Sequence, residues 1–326
     1  MLENPMLFLK WVIFVVKYTK MALTEKYINP LTDFGFKKIF GTEPNKDLLI
    51  DFLNELLPKK KKIKNLTYTQ NEHLGNSAVD RKAIFDLYCE SEQGEKFIVE
   101  MQKAKQNYFK DRSVYYSTFP VQEQAKRGDW NYHLKDVFTI GILDFVFDDS
   151  KDEKFISTVK LKDQDCKVFY EKLTFIYIEL PKFKKDETLL TSKFDKWIYV
   201  LKHLSRLENR PTALREKIFK KLFESAEIAK FTKKEQQAYE QSLKYYRDIK
   251  NVVDTSRQEG IEVGMEVGIE VGIEKGIEKG RQEGREERDI EIVKTALKGG
   301  FSIESIIKLT GLSKEDILKI KQDETL

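Results

Sequence analysis

The hydrophobic pattern splits the chain into a front part of mixed period and a rear part of helical period. Asn29-Pro30-Leu31-Thr32-Asp33 reads as a loop ending in helix-start chemistry, with Asp33 as N-cap. Phe34, Phe36 and Phe40 follow, then Gly41. Residues 47–57 form an amphipathic helix whose apolar stripe is Leu49, Phe52, Leu53 and Leu56, with Asp51 and Glu55 read as solvated. Pro58 and the lysine run 59–62 end it. Alternation over 63–74, 83–90 and 96–102 predicts three strands. Residues 106–127 are helical in composition, with a kink expected at Pro120. Strongly apolar runs at 137–147, 155–161 and 168–180 predict further strands, and from Ser192 onward the pattern is helical. Helix, three strands, helix, then more strands makes a mixed sheet flanked by helices, an α/β domain.

The second and third predicted strands form a hairpin through Ser91 to Glu95, with Gly94 for the turn. With Glu90 facing Lys96, Asp86 falls opposite Glu100 and Ile84 opposite Gln102. Directly opposed residues have Cβ atoms roughly 5 Å apart. Side chains alternate along a strand, so Asp86, Glu100 and Gln102 share one face. The other face is apolar: Phe85 opposite Met101, Leu87 opposite Val99, Cys89 opposite Phe97. Two carboxylates this close repel unless a cation lies between them or one holds a proton. The pattern suggests a divalent-metal site; on an exposed sheet face the same acids would simply be solvated.

Gly260 to Gly284 is a tetrapeptide repeat. In a helix, residues four apart make a stripe that drifts about 40° per repeat; in a strand, Ile261, Val263, Met265 and their successors alternate with Glu and Gly. Helical sequence on both sides favours the helix. Each glycine costs it about 1 kcal/mol against alanine, and Glu262, Glu266, Glu270, Glu274 and Glu278 repel at i,i+4. A spacer or a self-associating segment follows, giving a candidate homo-oligomer. The tail reads helix, Gly299-Gly300, helix, Gly311, helix, a small helix-turn-helix unit with Ser302 and Ser313 as N-caps. The last helix lacks arginine, which favours packing or docking over DNA recognition.

Composition sharpens this little. The net charge of +4 neither demands nor excludes nucleic acid. Cys89 and Cys166 lie in strand-like runs and read as buried apolar residues; with no disulfide framework they suit a reducing cytoplasm. Three scattered histidines give no zinc-ligand spacing. The apolar run at 7–16 is too short for a bilayer, which needs about 20 residues. Met21 precedes the globular pattern, so residues 1–20 read as an apolar leader or a misassigned start. The expected divisions are 1–20, a core at 21–184, a helical extension at 185–256, the repeat at 257–289 and the tail at 290–326.

Asp86, thirteen residues, then Glu100-Met101-Gln102 resembles the core of the PD-(D/E)XK nucleases. The segment from Asn29 to Gly41 is similar, more narrowly, to the opening of the recombination-promoting nuclease and PD-(D/E)XK transposase family. So are Phe52-Leu53-Asn54, Val99-Glu100-Met101-Gln102, Asp111-Arg112-Ser113-Val114-Tyr115-Tyr116 and Ile142-Leu143-Asp144-Phe145. The resemblance implies a restriction-endonuclease-like fold and a Mg²⁺-dependent endonuclease acting on DNA, most naturally double-stranded. Asp86, Glu100 and the Met101 carbonyl would hold the metal, a hard-oxygen set suited to Mg²⁺. Gln102 would position water, with Asp33 and Arg112 as accessory residues. Gln102 stands where the superfamily motif has lysine, and glutamine supplies no charge; it can still orient water by hydrogen bonding. Lys103 is adjacent but would face the other way in a regular strand. The rival expectation is a catalytically weak or inactive protein that binds nucleic acid or self-associates.

Overall fold

The computed structural model describes residues 25–58, 60–69, 72–73, 83–125, 130–147 and 153–323. The leader at 1–20, Met21, Lys59 and Arg127 lie outside them. The described chain divides into two compact units, the first ending at Val253 and the second beginning at Asp254.

The first unit opens with α1 (Asp33–Phe40) and α2 (Lys46–Leu56). Thr32, not Asp33, caps α1: its hydroxyl accepts the Gly35 N–H at 3.0 Å and donates to the Asn29 carbonyl at 2.8 Å. Asp33 is instead the first helical residue, where its exposed carboxylate meets Lys37 at 2.9 Å and complements the helix dipole. Leu49, Phe52 and Leu53 of the predicted stripe are buried, joined by Leu48. Asp51 is not merely solvated: it accepts the Trp197 indole N–H at 2.8 Å and pairs with Lys193.

The strands are β1 (Leu66–Tyr68), β2 (Glu72–His73), β3 (Ala83–Ile84), β4 (Leu87–Ser91), β5 (Lys96–Gln102), β6 (Val137–Leu143), β7 (Ile156–Lys162) and β8 (Val168–Glu179). Six make a mixed sheet in the order β1-β4-β5-β6-β8-β7, with β5, β6 and β8 parallel and the outer pairings antiparallel. The predicted strand at 83–90 is broken. From Leu87 to Glu90 the hairpin register is as expected, Leu87 opposite Val99 and Glu90 opposite Lys96. At Phe85-Asp86 the chain bends, and Ile84 pairs with Glu72 in a separate two-stranded ribbon rather than with Gln102. The bend also moves Phe85 to the other face from Leu87: it packs with Tyr88 and Ile98, not with Met101. Cys89 is buried, whereas Cys166 is exposed in the β7–β8 turn with a left-handed φ of 61°.

One sheet face, carrying Phe97, Val99, Met101, Phe138, Ile140, Ile142, Ile176 and Ile178, forms the larger core. It packs with α1, α2, α4 (Lys193–His203) and α5 (Lys217–Ala226), whose Phe40, Phe52, Trp197 and Phe219 rings meet in tilted and edge-on contacts at centroid distances of 5.1–5.7 Å. The opposite face carries two smaller clusters beneath α3 (Phe109–Gln122), with Tyr88 and Ile98 in one and Phe175 and Tyr177 in the other. Tyr108 precedes α3, exposed and left-handed at φ 60°. Lys61 of the lysine run is engaged by Asp136 and lies 5.6 Å from the Phe138 ring.

The helix α6 runs continuously over Lys233–Lys298, so the glycine repeat is helical. Its first turns bury Tyr239 and Tyr246 in the larger core. The second unit closes on Val293, Ala296, Ile306 and Ile317, using α7 (Ile303–Thr310) and α8 (Lys314–Asp323). Ser302 caps α7, and Ser313 caps α8 through the Asp316 N–H at 3.1 Å. No helix among the described residues is long and apolar enough to cross a membrane.

Candidate active site

Glu100 sits near the C-terminal end of β5, and the alternation that sends Val99 and Met101 into the larger core sends Glu100 to the α3 face. It is 8% exposed. Asp86 is not its ladder partner, because β4 begins one residue later. The bend brings the two together by a different route. The Asp86 N–H donates to Glu100 Oε1 at 3.1 Å, and the Met101 N–H donates to Asp86 Oδ2 at 2.7 Å. Gln102 completes the row, its Nε2 donating to Glu100 Oε2 at 3.1 Å. Asp86, Glu100, Met101 and Gln102 are therefore assembled in one place.

The Met101 carbonyl fits the same group. N–H and C=O of one residue point to the same side of a strand. The Gln102 carbonyl accepts the Asp144 N–H at 2.9 Å toward β6, so the Met101 carbonyl turns the other way, to the side of Asp86. Among the described residues no cluster of three or more His, Cys, Asp or Glu side chains forms a metal site. The donors are two carboxylates and a backbone carbonyl, a hard-oxygen set that fits Mg²⁺ with waters completing the shell.

The electrostatics mark the pair. Burial, then the Asp86 charge, push the Glu100 carboxyl up to about 8, against the Asp86 N–H, Arg112 and Gln102. Burial raises Asp86 as well, opposed by the Met101 N–H; Asp33 raises it further and Lys37 and Lys103 lower it. Two carboxyls disfavoured as a doubly ionised pair are what a divalent cation would relieve.

The accessory candidates divide. Asp33 reaches Asp86 through charge while paired to Lys37. Arg112 lies on the α3 face opposite Glu100, its guanidinium 5.3 Å from the Phe109 ring and 5.8 Å from the Tyr116 ring, and it donates to Gln106. Asp144, from the Ile-Leu-Asp-Phe run, accepts the Tyr246 hydroxyl at 2.7 Å and ties the end of β6 to α6.

Two residues that the sequence reading noted without giving them a role enter the site. Lys103 does not continue the strand, because β5 ends at Gln102 and the chain bends there. Its ammonium lies 5.0 Å from the Tyr245 ring; burial lowers its amine, while Asp33 and Asp86 pull it back up. It is a cation in electrostatic reach of Asp86, and its adjacency to Gln102 was the available signal. Tyr116 is the other: burial raises its phenol first, then the Glu100 charge. Its four-residue spacing from Arg112 was visible in the sequence.

A mixed sheet with an acid at the start of one strand and Glu-X-Gln ending the next has the restriction-endonuclease-like architecture of PD-(D/E)XK proteins. A sequence model of the PD-(D/E)XK nuclease family transposases matches residues 30–256, and the chain belongs to that family. No curated protein and no solved structure matches the chain.

Proposed function

We propose that the protein is a Mg²⁺-dependent endonuclease that hydrolyses phosphodiester bonds of double-stranded DNA in a transposase-related, recombination-promoting role within the cytoplasm. The observation that carries this reading is the pair of the half-buried Asp86 and the buried Glu100, linked through the Met101 and Asp86 N–H groups beside the Met101 carbonyl. Asp86, Glu100 and the Met101 carbonyl would hold the cation. When bound, it supplies a more acidic water and stabilises charge on the scissile phosphate. Gln102 orients the attacking water by hydrogen bonding, and Lys103 supplies positive charge where the superfamily lysine would. Water attacks phosphorus, a P–O ester bond breaks, and the leaving oxygen takes a proton.

Supercoiled plasmid with Mg²⁺ tests it. Nicking or cleavage is expected, abolished by EDTA and by Asp86→Ala. Equal cutting by Asp86→Ala would remove the assigned site; RNA cut in preference to DNA would change the substrate.

A second reading is favoured by one observation, the solvent-facing Ile261, Val263, Met265, Val267, Ile269, Val271 and Ile273 along α6. In it, the repeat makes a homo-oligomer, and the core binds nucleic acid with little or no cutting. Plasmid binding without cleavage in any divalent metal would select it.

A further inference from the structure

Beside Glu100 lies a small cavity of about 10 Å³ between the sheet and α3, lined by Glu100, Arg112, Tyr116, Thr139, Gly141 and Tyr177 among others. Its origin is in the sheet register. Glu100, Gly141 and Tyr177 stand side by side on three parallel strands, and Gly141 contributes no side chain. A Cβ there would come within 3.0 Å of Tyr177 Cδ1, so the Tyr177 ring leans over the gap that glycine leaves.

The walls are mostly apolar, and two polar groups on residues that line them stand out. Among the described residues, three buried side-chain atoms have no hydrogen-bond partner, and two of them, Arg112 Nη2 and Thr139 Oγ1, belong to residues that line this cavity. Thr139 is 3% exposed. An unsatisfied buried donor or hydroxyl destabilises the fold unless it finds a partner. A space near 10–15 Å³ with two or more polar partners is the size and chemistry of a single-water site. Glu100 offers the acceptor, since Asp86 N–H and Gln102 Nε2 each occupy only one lone pair of its two oxygens.

We infer that Arg112 and Thr139 hold one water against Glu100 from the protein side, and that Arg112 is a positioning residue for the metal-binding carboxylate rather than a phosphate contact. Its other contacts suit that task. The guanidinium lies near the Phe109 and Tyr116 rings and donates to Gln106, contacts within its own stretch of chain that restrain it from following a substrate. The water would complete the Glu100 hydrogen bonds, as outer-shell partners orient ligands at metal sites.

This rests on the nuclease reading, and the experiment separates the two. Mn²⁺ and Mg²⁺ binding to the full chain is measured by calorimetry for wild type, Asp86→Ala, Thr139→Val, Arg112→Gln and Arg112→Lys, with a thermal melt of each. Thr139→Val keeps the shape and removes one partner of the water, so it is expected to melt modestly below wild type and to bind metal about 10-fold more weakly. Arg112→Gln is expected to weaken binding by about 10- to 100-fold, with Arg112→Lys recovering part through its charge. Wild-type binding that Asp86→Ala removes, but that Thr139→Val and Arg112→Gln leave unchanged, overturns this inference alone. A wild type that binds neither metal overturns the nuclease reading and this inference with it.

Discussion

Glu100 is an acid kept where its charge is unwelcome, and that has a thermodynamic signature. Its carboxyl titrates from an ordinary 4.5 up to about 8 in the folded protein, through burial first and the Asp86 charge second. Between those values the folded state binds more protons than the unfolded one, so this group makes stability fall as pH rises through that window. Below it, the group is protonated in both states and contributes nothing to the slope. Glu100→Gln removes the charge and keeps a carbonyl to accept the Asp86 N–H. The variant is therefore expected to melt above wild type by roughly 5 °C near pH 8, with the gap closing toward pH 5. Scanning fluorimetry across that range checks it; a gap independent of pH would mean that the Glu100 charge is not held at a cost. A divalent cation should act in the same direction on wild type and leave Glu100→Gln nearly unmoved.

Among the elements, the strands were legible where two alternating runs meet across a short turn with a defined glycine. Leu87 to Glu90 pair with Lys96 to Val99 in the register that Gly94 and the apolar back face require. The break at Phe85-Asp86 was not legible, because Ala83 to Glu90 continues to look like strand and nothing local ends it. What ends it is a non-local exchange: the Asp86 carboxylate takes the Met101 N–H that a longer β4 would have used. The candidate acids were thus found in the sequence, but for a geometry they do not have. The gap beside Glu100 was also out of reach, since it depends on Gly141 arriving next to Glu100 through a parallel pairing that no turn specifies. The cap of α1 was missed by one residue for a similar reason. Thr32 and Asp33 both suit an N-cap, and the Asn29 carbonyl, which the Thr32 hydroxyl also binds, decides between them. That loop explains the glycine that follows. A Cβ on Gly35 would stand 2.1 Å from the Asn29 oxygen and 2.7 Å from Thr32 Oγ1. Gly35→Ala is expected to cost about 3 kcal/mol in urea unfolding, against about 1 kcal/mol for Thr32→Ala. Equal and small losses would show that the Asn29–Thr32–Gly35 turn yields easily, and that this stretch of the family motif is not there for the fold.

At the scale of the whole molecule, the matched region and the repeat have separate chemistry. The family match ends at residue 256, just before the first repeat glycine, Gly260. Beyond it α6 presents Gly264, Gly268 and Gly272 with nothing within 4 Å of where a Cβ would sit, flanked by exposed Ile and Val residues. Three alanines there would each favour the isolated helix by about 1 kcal/mol. A plain spacer should therefore gain helicity and keep its size in solution. A helix that packs closely against a second copy should gain helicity and lose the partner, because the added methyls hold the two backbones apart. The expected outcome for Gly264→Ala/Gly268→Ala/Gly272→Ala is the second: wild type larger than one chain by light scattering, the variant reduced toward one chain, and ellipticity per residue preserved or raised. Plasmid cleavage per chain should stay unchanged, since Asp86, Glu100 and Gln102 all lie within residues 30–256. A wild type that remains a single chain at high concentration would leave the repeat a spacer. Cleavage that falls in step with association would instead tie the phosphodiesterase chemistry to an assembled form.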